Sequence, residues 1–361
     1  MSRGRSFDDL HVLRLIATIA VIAIHTTAQD MTLSFLGYYG NQLARFSVPM
    51  FLILSGFLLF QSDLNVGYLP SPEFYRKRFR KILLPYILWT IFYSLVLHYY
   101  FNGLQNAHLI IPDMIRHLYQ GNGFSHLYFV VIIIQLYFLY PFMRRGFRAY
   151  PGVCLMVSLL ISFTCQLFLY LHAIQAVKVP LYHSELYLIA FPVWIFYFLL
   201  GMYLALNDQD LEQSGRLSWV SWSAIWTVSF ALLLWDSYKT ASFALSIKPT
   251  VILYATVTFF FLRAWLNRYP IQVGPFIKWF SDQSFLIYLL HPLMANLLVF
   301  FSLRVVNQPF MWSSNPGTLS KFLITLATTL AATYIISLTP LAVPLGGVKK
   351  AGLDSPRQPS K

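Results

Sequence analysis

Arg14 and His25 are two ionisable residues in an otherwise apolar stretch, LRLIATIAVIAIH, near the start of the chain. On an α-helix, eleven residues turn through about 1100°, about 20° more than three full turns, and rise about 16 Å. The two side chains therefore share one helix face, separated by roughly half the hydrocarbon thickness of a bilayer. Such residues usually face a bundle interior or a wet cavity, where histidine can move a proton and arginine can stabilise negative charge. Two side chains that reach opposite membrane interfaces would produce the same pattern.

A cluster of basic residues precedes the third apolar stretch, in the segment FYRKRFRKILLPY. Its members are Arg76, Lys77, Arg78, Arg80 and Lys81. A cluster of this kind commonly sets membrane topology or binds anionic lipid. Its arginines also suit the phosphates of a soluble ligand, which they bind through paired hydrogen bonds.

Arg45 opens the second apolar stretch, ARFSVPMFLILSGFLL, at about the depth of His25. Within this stretch Pro49 predicts a kink, and Ser55–Gly56 predicts close packing against a neighbouring helix. On these residues alone, an interfacial arginine on a kinked packing helix is the simpler interpretation.

His126 and His291 are two further histidines beside or within apolar stretches. His126 opens the fourth stretch at a boundary where aromatic residues are common. His291 lies inside SDQSFLIYLLHPLM, one turn after Tyr288 and directly before Pro292, which cannot donate a backbone hydrogen bond. A histidine at this depth is a candidate functional residue, and a buried structural hydrogen bond is the alternative.

The composition is that of a polytopic membrane protein, because 57% of the 361 residues are hydrophobic and only 11% are charged. Soluble proteins carry about 25% charged residues. Apolar stretches of spanning length occur at residues 10–28, 43–60, 82–101, 126–142, 151–171, 186–206, 219–236, 248–266, 284–302 and 320–342. We expect an all-α, polytopic membrane helix bundle of about ten transmembrane helices over residues 1–345, and a disordered tail over 346–361. The first stretch has no small-residue cleavage site and is expected to be retained.

The distribution of basic residues predicts that both termini face the cytosol. With that orientation, 18 lysines and arginines lie on the cytosolic side and six on the other. This bias explains the net charge of +13, so nucleic-acid binding is not expected. The longest outer loop, residues 102–125, contains the segment LIIPDMIRHL, which is predicted to form a short interfacial helix.

Cysteine usage predicts neither a disulfide nor a metal site. Cys154 and Cys165 lie eleven residues apart in one apolar stretch. On a helix this is about 16 Å, which is too far for a disulfide. No metal-ligand spacing is present in the sequence, so no metal is expected.

Taken together, these stretches resemble the integral-membrane acyltransferase family 3, the sugar O-acyltransferases, over Phe7 to Leu341. The motifs that carry the resemblance are the Arg14 and His25 pair, R-x-x-V-P-x-F-x-x-x-S-G-F at Arg45–Phe57, R-x-x-R-x-x-x-P-Y at Arg78–Tyr86, H-L-[WY]-F at His126–Phe129, and S-F-x-I-Y-L-x-H-P at Ser284–Pro292. In the third motif, Lys81 stands where the second arginine would be. Within that family, the chain resembles the short surface-polysaccharide enzymes, such as the O-acetyltransferase of enterobacterial common antigen.

The resemblance implies a multi-pass enzyme of the bacterial plasma (inner) membrane. It moves an acyl group, usually acetyl, from cytosolic acetyl-CoA to a sugar hydroxyl of a surface or lipid-linked glycan. The expected partners are membrane lipid, acyl-CoA as co-substrate and the glycan acceptor, with no bound cofactor. We expect His25 to be the general base and Arg14 to orient the donor or stabilise its thioester oxygen. The expected donor-binding residues are Arg76, Arg78, Arg80 and Lys81, and the acceptor-side or supporting residues are Arg45, His126, Tyr288 and His291.

Several alternatives stay open at the level of the sequence. An acyl-histidine intermediate would use His25 equally well. A transporter or exporter of a glycan or small solute would also contain intramembrane charges and proline-broken helices, and a structural subunit of a polysaccharide machine is a third possibility. One departure from the family pattern is His11, which stands where an aspartate often precedes the arginine, and Asp8 and Asp9 lie nearby as substitutes.

Overall fold

The computed structural model describes residues 2–66, 72–102, 107–178, 184–207, 218–308 and 310–349, and in these ranges the regular elements are all helical. The α-helices are α1 (Ser2–Thr27), α2 (Phe35–Leu43), α3 (Ser47–Val66), α4 (Pro72–Arg78), α5 (Leu84–Asn102), α6 (Ile110–Gln120), α7 (Tyr128–Ala149), α8 (Pro151–Ala173), α9 (Ser184–Ile189), α10 (Phe191–Leu206), α11 (Trp219–Thr240), α12 (Pro249–Arg268), α13 (Pro275–Asp282), α14 (Ser284–Arg304) and α15 (Asn315–Ser337). The short helix predicted after α5 is present as α6, while its position at the membrane interface stays a prediction.

Within the described residues, nine helical segments are long and apolar enough to cross a membrane. They are Asp8–Asp30, Phe35–Asn65, Pro72–Tyr99, Tyr128–Ala149, Pro151–Ala173, Leu186–Leu206, Pro249–Arg268, Ser284–Arg304 and Asn315–Ser337. The predicted span at 219–236 forms α11, which packs along α12 but whose many serines, with Asp236, make it less apolar than the nine. The all-α, polytopic membrane bundle is therefore confirmed, while the side on which the termini lie stays a prediction.

Helix α1 lies at the centre of the bundle. It packs against α2, α3, α13, α14 and α15. Small side chains on its packed faces, including Ala17 and Ala20, let these neighbours approach closely. The helix that carries Arg14 and His25 thus packs against α3 and α14, which carry two of the other motifs.

Two glycines join α3 to α10 at backbone distance. A Cβ atom at Gly56 would lie 2.0 Å from the carbonyl oxygen of Phe198, and one at Gly201 would lie 2.0 Å from that of Ile53. Neither position has room for a side chain. The close packing predicted at Ser55–Gly56 is confirmed.

Two prolines have different effects on their helices. Pro49 lies in the first turn of α3, where a missing N–H is harmless, so the predicted kink at this residue is wrong. The irregular geometry lies just upstream, in a 3₁₀ turn at Ala44–Phe46. Pro292, in contrast, lies inside α14, where it removes one helical hydrogen bond.

Buried ion pairs fix both ends of the bundle. Near the predicted cytosolic end, Asp63 of α3 accepts from Arg144 Nε at 2.5 Å and from the Tyr140 hydroxyl at 3.0 Å. Near the other end, Lys321 of α15 pairs with Asp30, which follows α1, and both side chains are buried. Each pair joins segments that are distant in sequence.

Candidate active site

A partly open cavity of about 570 Å³ lies beside the basic cluster. Its walls come from α1, α3, the end of α4 and the helical turn that follows it, α7, the end of α13, α14 and the segment after α15. The polar side chains that line it are Arg14, Ser55, Arg78, Lys81, Tyr137, Asp282, Ser284 and Tyr288. Apolar side chains such as Ile82, Phe129 and Ile133 form much of the remaining wall. The cavity can hold a ligand with both a charged and an apolar part.

The charge of this cavity is positive. Among the described residues of its lining, three side chains are cationic, those of Arg14, Arg78 and Lys81, and one is a carboxylate, that of Asp282. The guanidinium of Arg78 lies 5.0 Å from the centroid of the Tyr137 ring, a cation–π contact that holds it in place. An anionic ligand is therefore favoured over a cationic one.

The structure separates the four predicted donor-binding residues. Helix α4 ends at Arg78, and a π-helical turn, Phe79–Leu83, carries Arg80 and Lys81 into α5. This change of helical period places Arg78 and Lys81 at the cavity, whereas Arg80 is solvent-exposed and outside its lining. Arg76 lines a second cavity of about 410 Å³, which shares Arg78 with the first.

Asp282 supplies the carboxylate near Arg14. It interacts electrostatically with Arg14 from the end of α13, and both residues line the cavity. Asp8 and Asp9 are not among the described residues of the lining. His11, at the position where the family often has aspartate, instead forms a 2.9 Å hydrogen bond with the neighbouring Ser281 hydroxyl. Sequence reasoning missed Asp282, although the residue lies in the quoted segment SDQSFLIYLLHPLM.

Three histidines from three different helical regions form one cluster. The ring centroid of His25 lies 5.1 Å from that of His291 and 6.2 Å from that of His126, and the latter two are 5.6 Å apart. His126 and His291 are fully buried, while His25 keeps a partly exposed surface. His25 is therefore the member of the cluster that a ligand can reach.

Pro292 determines the tautomer of His291. The Tyr288 carbonyl lacks a helical donor because residue 292 is proline. The Nδ1 atom of His291 lies 2.7 Å from that carbonyl, and since a carbonyl only accepts, Nδ1 carries the hydrogen. In the neutral ring Nε2 is then the unprotonated nitrogen, and it is buried with no partner among the described residues. His291 thus presents a proton acceptor inside the cluster.

Tyr288 lies between the cavity and the histidine cluster. It lines the cavity, and its ring is 5.2 Å from that of His126. Its buried hydroxyl donates to the His126 carbonyl oxygen. The cavity therefore ends one side chain short of the three histidines, none of which lines it.

Arg45 lies on the far side of the cluster from the cavity. Its Nη1 atom donates to the Ala244 carbonyl and the Ser246 hydroxyl, both at 2.8 Å, in the loop between α11 and α12. Lys248 in the same loop is fully buried, 3.6 Å from an Asp236 carboxylate oxygen. Burial lowers the pKa of Lys248 to about 8. Sequence reasoning did not single out Lys248, because it resembles any charge beside a span.

The segment after α15 forms part of the cavity wall. Gly346, Gly347 and Val348 line the cavity. Both backbone groups of Val348 pair with the side-chain amide of Gln283, and the Trp89 indole donates to the Leu345 carbonyl at 3.1 Å. The predicted tail, residues 346–361, begins within this wall, and residues 350–361 lie outside the described residues.

The described residues contain no group of three or more side chains placed to hold a metal ion.

Comparison with known proteins places this architecture in a family. A family model described as an acyltransferase domain matches residues 7–338. The chain is 28% identical over 309 residues to a probable poly-beta-1,6-N-acetyl-D-glucosamine export protein of Staphylococcus aureus, covering 80% of this chain and 83% of the relative. It is 28% identical over 311 residues to a protein of the same name from Staphylococcus epidermidis, with 80% and 81% covered.

No solved structure matches the chain. The family match spans nearly the whole bundle, including the histidine cluster and the cavity lining except for Val343 and Gly346–Val348. The chain therefore belongs to the acyltransferase family 3, as a multi-pass integral protein of a bacterial membrane.

Proposed function

We propose that this protein transfers an acyl group, such as acetyl, from cytosolic acyl-CoA to a sugar hydroxyl of a cell-surface or lipid-linked glycan. The observation that carries the proposal is that three features adjoin one another: the cavity, Tyr288 and the histidine cluster. A positively charged cavity ends at Tyr288, and Tyr288 contacts a cluster of three histidines. Donor and acceptor thus approach one point from opposite sides.

The donor is assigned to the cavity. Phosphates of acyl-CoA bind Arg78 and Lys81, since both line the cavity beside the basic cluster. The apolar wall suits the arm that carries the thioester towards Tyr288. Arg14 lines the same cavity about 16 Å along α1 from His25, so its role is to orient the donor as it enters and not to contact the reacting carbonyl.

The acceptor is assigned to the exposed side of His25. A sugar hydroxyl is a poor nucleophile until a base takes its proton, and a neutral imidazole is suited to that task. The hydroxyl proton passes to His25 as the oxygen bonds to the thioester carbon. The carbon–sulfur bond then breaks, and the CoA sulfur leaves as a thiolate that takes up the proton. The unprotonated Nε2 of His291 offers a second acceptor within the cluster.

The names of the relatives suggest the acceptor to test first. Poly-beta-1,6-N-acetyl-D-glucosamine, which those names contain, carries free hydroxyls on every sugar. The same names favour a second candidate function, export of a polysaccharide. In an exporter, substitutions in the histidine cluster would alter the amount of glycan outside the cell and leave its acylation pattern unchanged.

The experiment supplies radiolabelled acetyl-CoA to the cytosolic face of membrane vesicles that contain the protein and a glycan acceptor. Label on the glycan should fall about 10²- to 10⁴-fold in His25→Ala, the usual effect of losing a general base. His172→Ala is the matched control, because His172 also lies near the end of an apolar helix, α8, but outside the cluster. Normal labelling by His25→Ala at equal membrane abundance would contradict the proposal. If the radiolabel stayed on the peptide that contains His25 when no acceptor is present, His25 would form an acyl-histidine intermediate and would not act as a general base.

A further inference from the structure

We propose that Asn41 is a positioning residue for His25, and that Arg45 fixes the orientation of the Asn41 side chain. The inference rests on the proposed role of His25 as the base. It assigns Arg45 to the support of the base instead of to direct contact with the acceptor.

The side-chain amide of Asn41 holds the last turn of α1. It is 1% exposed, and Nδ2 donates to the Ile24 carbonyl at 2.9 Å and to the Thr27 hydroxyl oxygen at 3.0 Å. Ile24 is the residue directly before His25. Carbonyls in the last turn of a helix lose their helical donors, so this turn frays unless side chains bind it. The amide of Asn41 therefore restrains the backbone from which the imidazole of His25 projects.

Arg45 determines which way this amide points. Its Nη2 atom donates to Asn41 Oδ1, one turn earlier in the chain. Rotating the amide by 180° would bring two donors together at Arg45 and two oxygens together at Ile24. The guanidinium therefore keeps Nδ2 directed at the last turn of α1.

The terminal nitrogens of Arg45 have no capacity left for a ligand. Nη1 donates to the Ala244 carbonyl and the Ser246 hydroxyl, and Nη2 donates to the Phe243 carbonyl at 2.5 Å as well as to Asn41. The four terminal N–H groups thus face these four acceptors and the Met31 sulfur, 3.7 Å from Nη2, and among the N–H groups of Arg45 the buried Nε–H alone has no partner in the described residues. The outer loop between α11 and α12 is connected through Arg45 and Asn41 to the turn that carries His25.

The variant that isolates the proposed contact is Asn41→Asp. The carboxylate has nearly the same shape and still accepts from Arg45, but an oxygen replaces the donor that faces Ile24. Asn207→Asp is the matched control, since Asn207 Nδ2 donates at 2.8 Å to the Tyr203 carbonyl at the end of α10, away from the histidines. Asn41→Ala removes the donor without adding charge and serves as the second variant if the aspartate impairs folding.

The readout is the rate at which diethyl pyrocarbonate modifies His25 in the purified full-length protein, followed by peptide mass spectrometry. Loss of the restraint should raise this rate at least threefold in Asn41→Asp and Asn41→Ala, and leave it unchanged in Asn207→Asp. The proposal would be overturned if His25 in these variants were modified at less than twice the rate measured for the chain without substitutions. This measurement needs no turnover, so it stands even if the proposed acyl transfer fails.

Arg45→Lys tests the connection between the two residues. Lysine cannot meet four acceptors, so modification of His25 should rise in this variant as well. In the double variant that combines Asn41→Asp with Arg45→Lys, His25 should be modified no faster than in Asn41→Asp alone, because both changes release the same turn of α1. Independent, multiplicative effects would disprove the role of Arg45 through Asn41.

Turnover provides a second readout that general destabilisation would not reproduce. If acetyl transfer is observed, kcat should fall about tenfold in Asn41→Asp with KM for acetyl-CoA unchanged, since the donor cavity is untouched. An increase in KM with normal kcat would contradict positioning of the base.

Discussion

His25 and His291 lie with their ring centroids 5.1 Å apart, although one is near the start of the chain and the other near its end. The contact forms because α1 packs directly against α14. Since Pro292 leaves the Tyr288 carbonyl to the Nδ1 atom of His291, the Nε2 atom of this residue is a proton acceptor beside the proposed base. In the proposed mechanism, a proton taken up by His25 therefore has a neighbouring acceptor.

The first prediction separates this proton-accepting role from structural support. In His291→Asn, the side-chain Nδ2 takes the place of Nδ1 and still donates to the Tyr288 carbonyl, but no acceptor remains in place of Nε2. Acyl transfer should fall at least tenfold, while thermal stability stays close to that of the unmodified chain. Transfer rates and melting temperatures of purified variants measure the two effects. Full activity in His291→Asn would assign His291 to support alone.

The second prediction concerns the donor cavity. Arg78→Gln and Lys81→Gln should each raise KM for acetyl-CoA about tenfold or more, since a hydrogen bond to a charged group contributes about 1.5–3 kcal/mol. Arg80→Gln is the control from the same cluster, because Arg80 is exposed and outside the cavity lining. Steady-state kinetics in vesicles measure all three variants. If KM for acetyl-CoA changed equally in the three variants, the basic cluster would instead bind lipid or set the membrane topology.

The helices and the positions of the charged residues along them were predictable from sequence, because both follow from local composition and helical rise. Arg14 lines the cavity and His25 lies in the cluster, as two positions on one helix face of α1. The close packing at Gly56 was likewise readable from small residues in an apolar helix.

The partners of these residues were not predictable in the same way. Helical periodicity gives the depth and face of a side chain but not the helix opposite, so the meeting of His25, His126 and His291 required the fold. Asp282 and Asn41 act through tertiary contacts, and their local sequence carries no signal of a site. Pro49 was misinterpreted for a related reason, because a proline in the first turn and one inside a helix look alike until the helix start is known.

The third prediction concerns the packing of α3 on α10. Gly56→Ala or Gly201→Ala would place a methyl group 2.0 Å from a backbone carbonyl oxygen, so the helices must separate. We expect a loss of stability of at least about 1–3 kcal/mol, the usual cost of overpacking, and reduced yield in the membrane. Gly146→Ala and Gly152→Ala are matched controls, because a Cβ atom at either position has no atom within 4 Å. Differential scanning fluorimetry of the four variants measures their melting temperatures. Equal melting temperatures would contradict the close backbone contact between α3 and α10.

The last prediction uses the buried Lys248, which directly precedes the spanning segment Pro249–Arg268 of the structure. Burial lowers its pKa from the ordinary value of 10.5 to about 8, Arg45 acts in the same direction, and Asp236 acts against both. Between these pH values the unfolded chain binds the proton more strongly than the folded chain, so raising the pH favours folding. The melting temperature of the unmodified chain, relative to Lys248→Met, should therefore rise between about pH 8 and pH 10.5 and stay constant below pH 8. The comparison cancels other titrating groups. If the difference in melting temperature between the two proteins stayed constant or fell over this range, the surroundings of Lys248 would not favour its uncharged form.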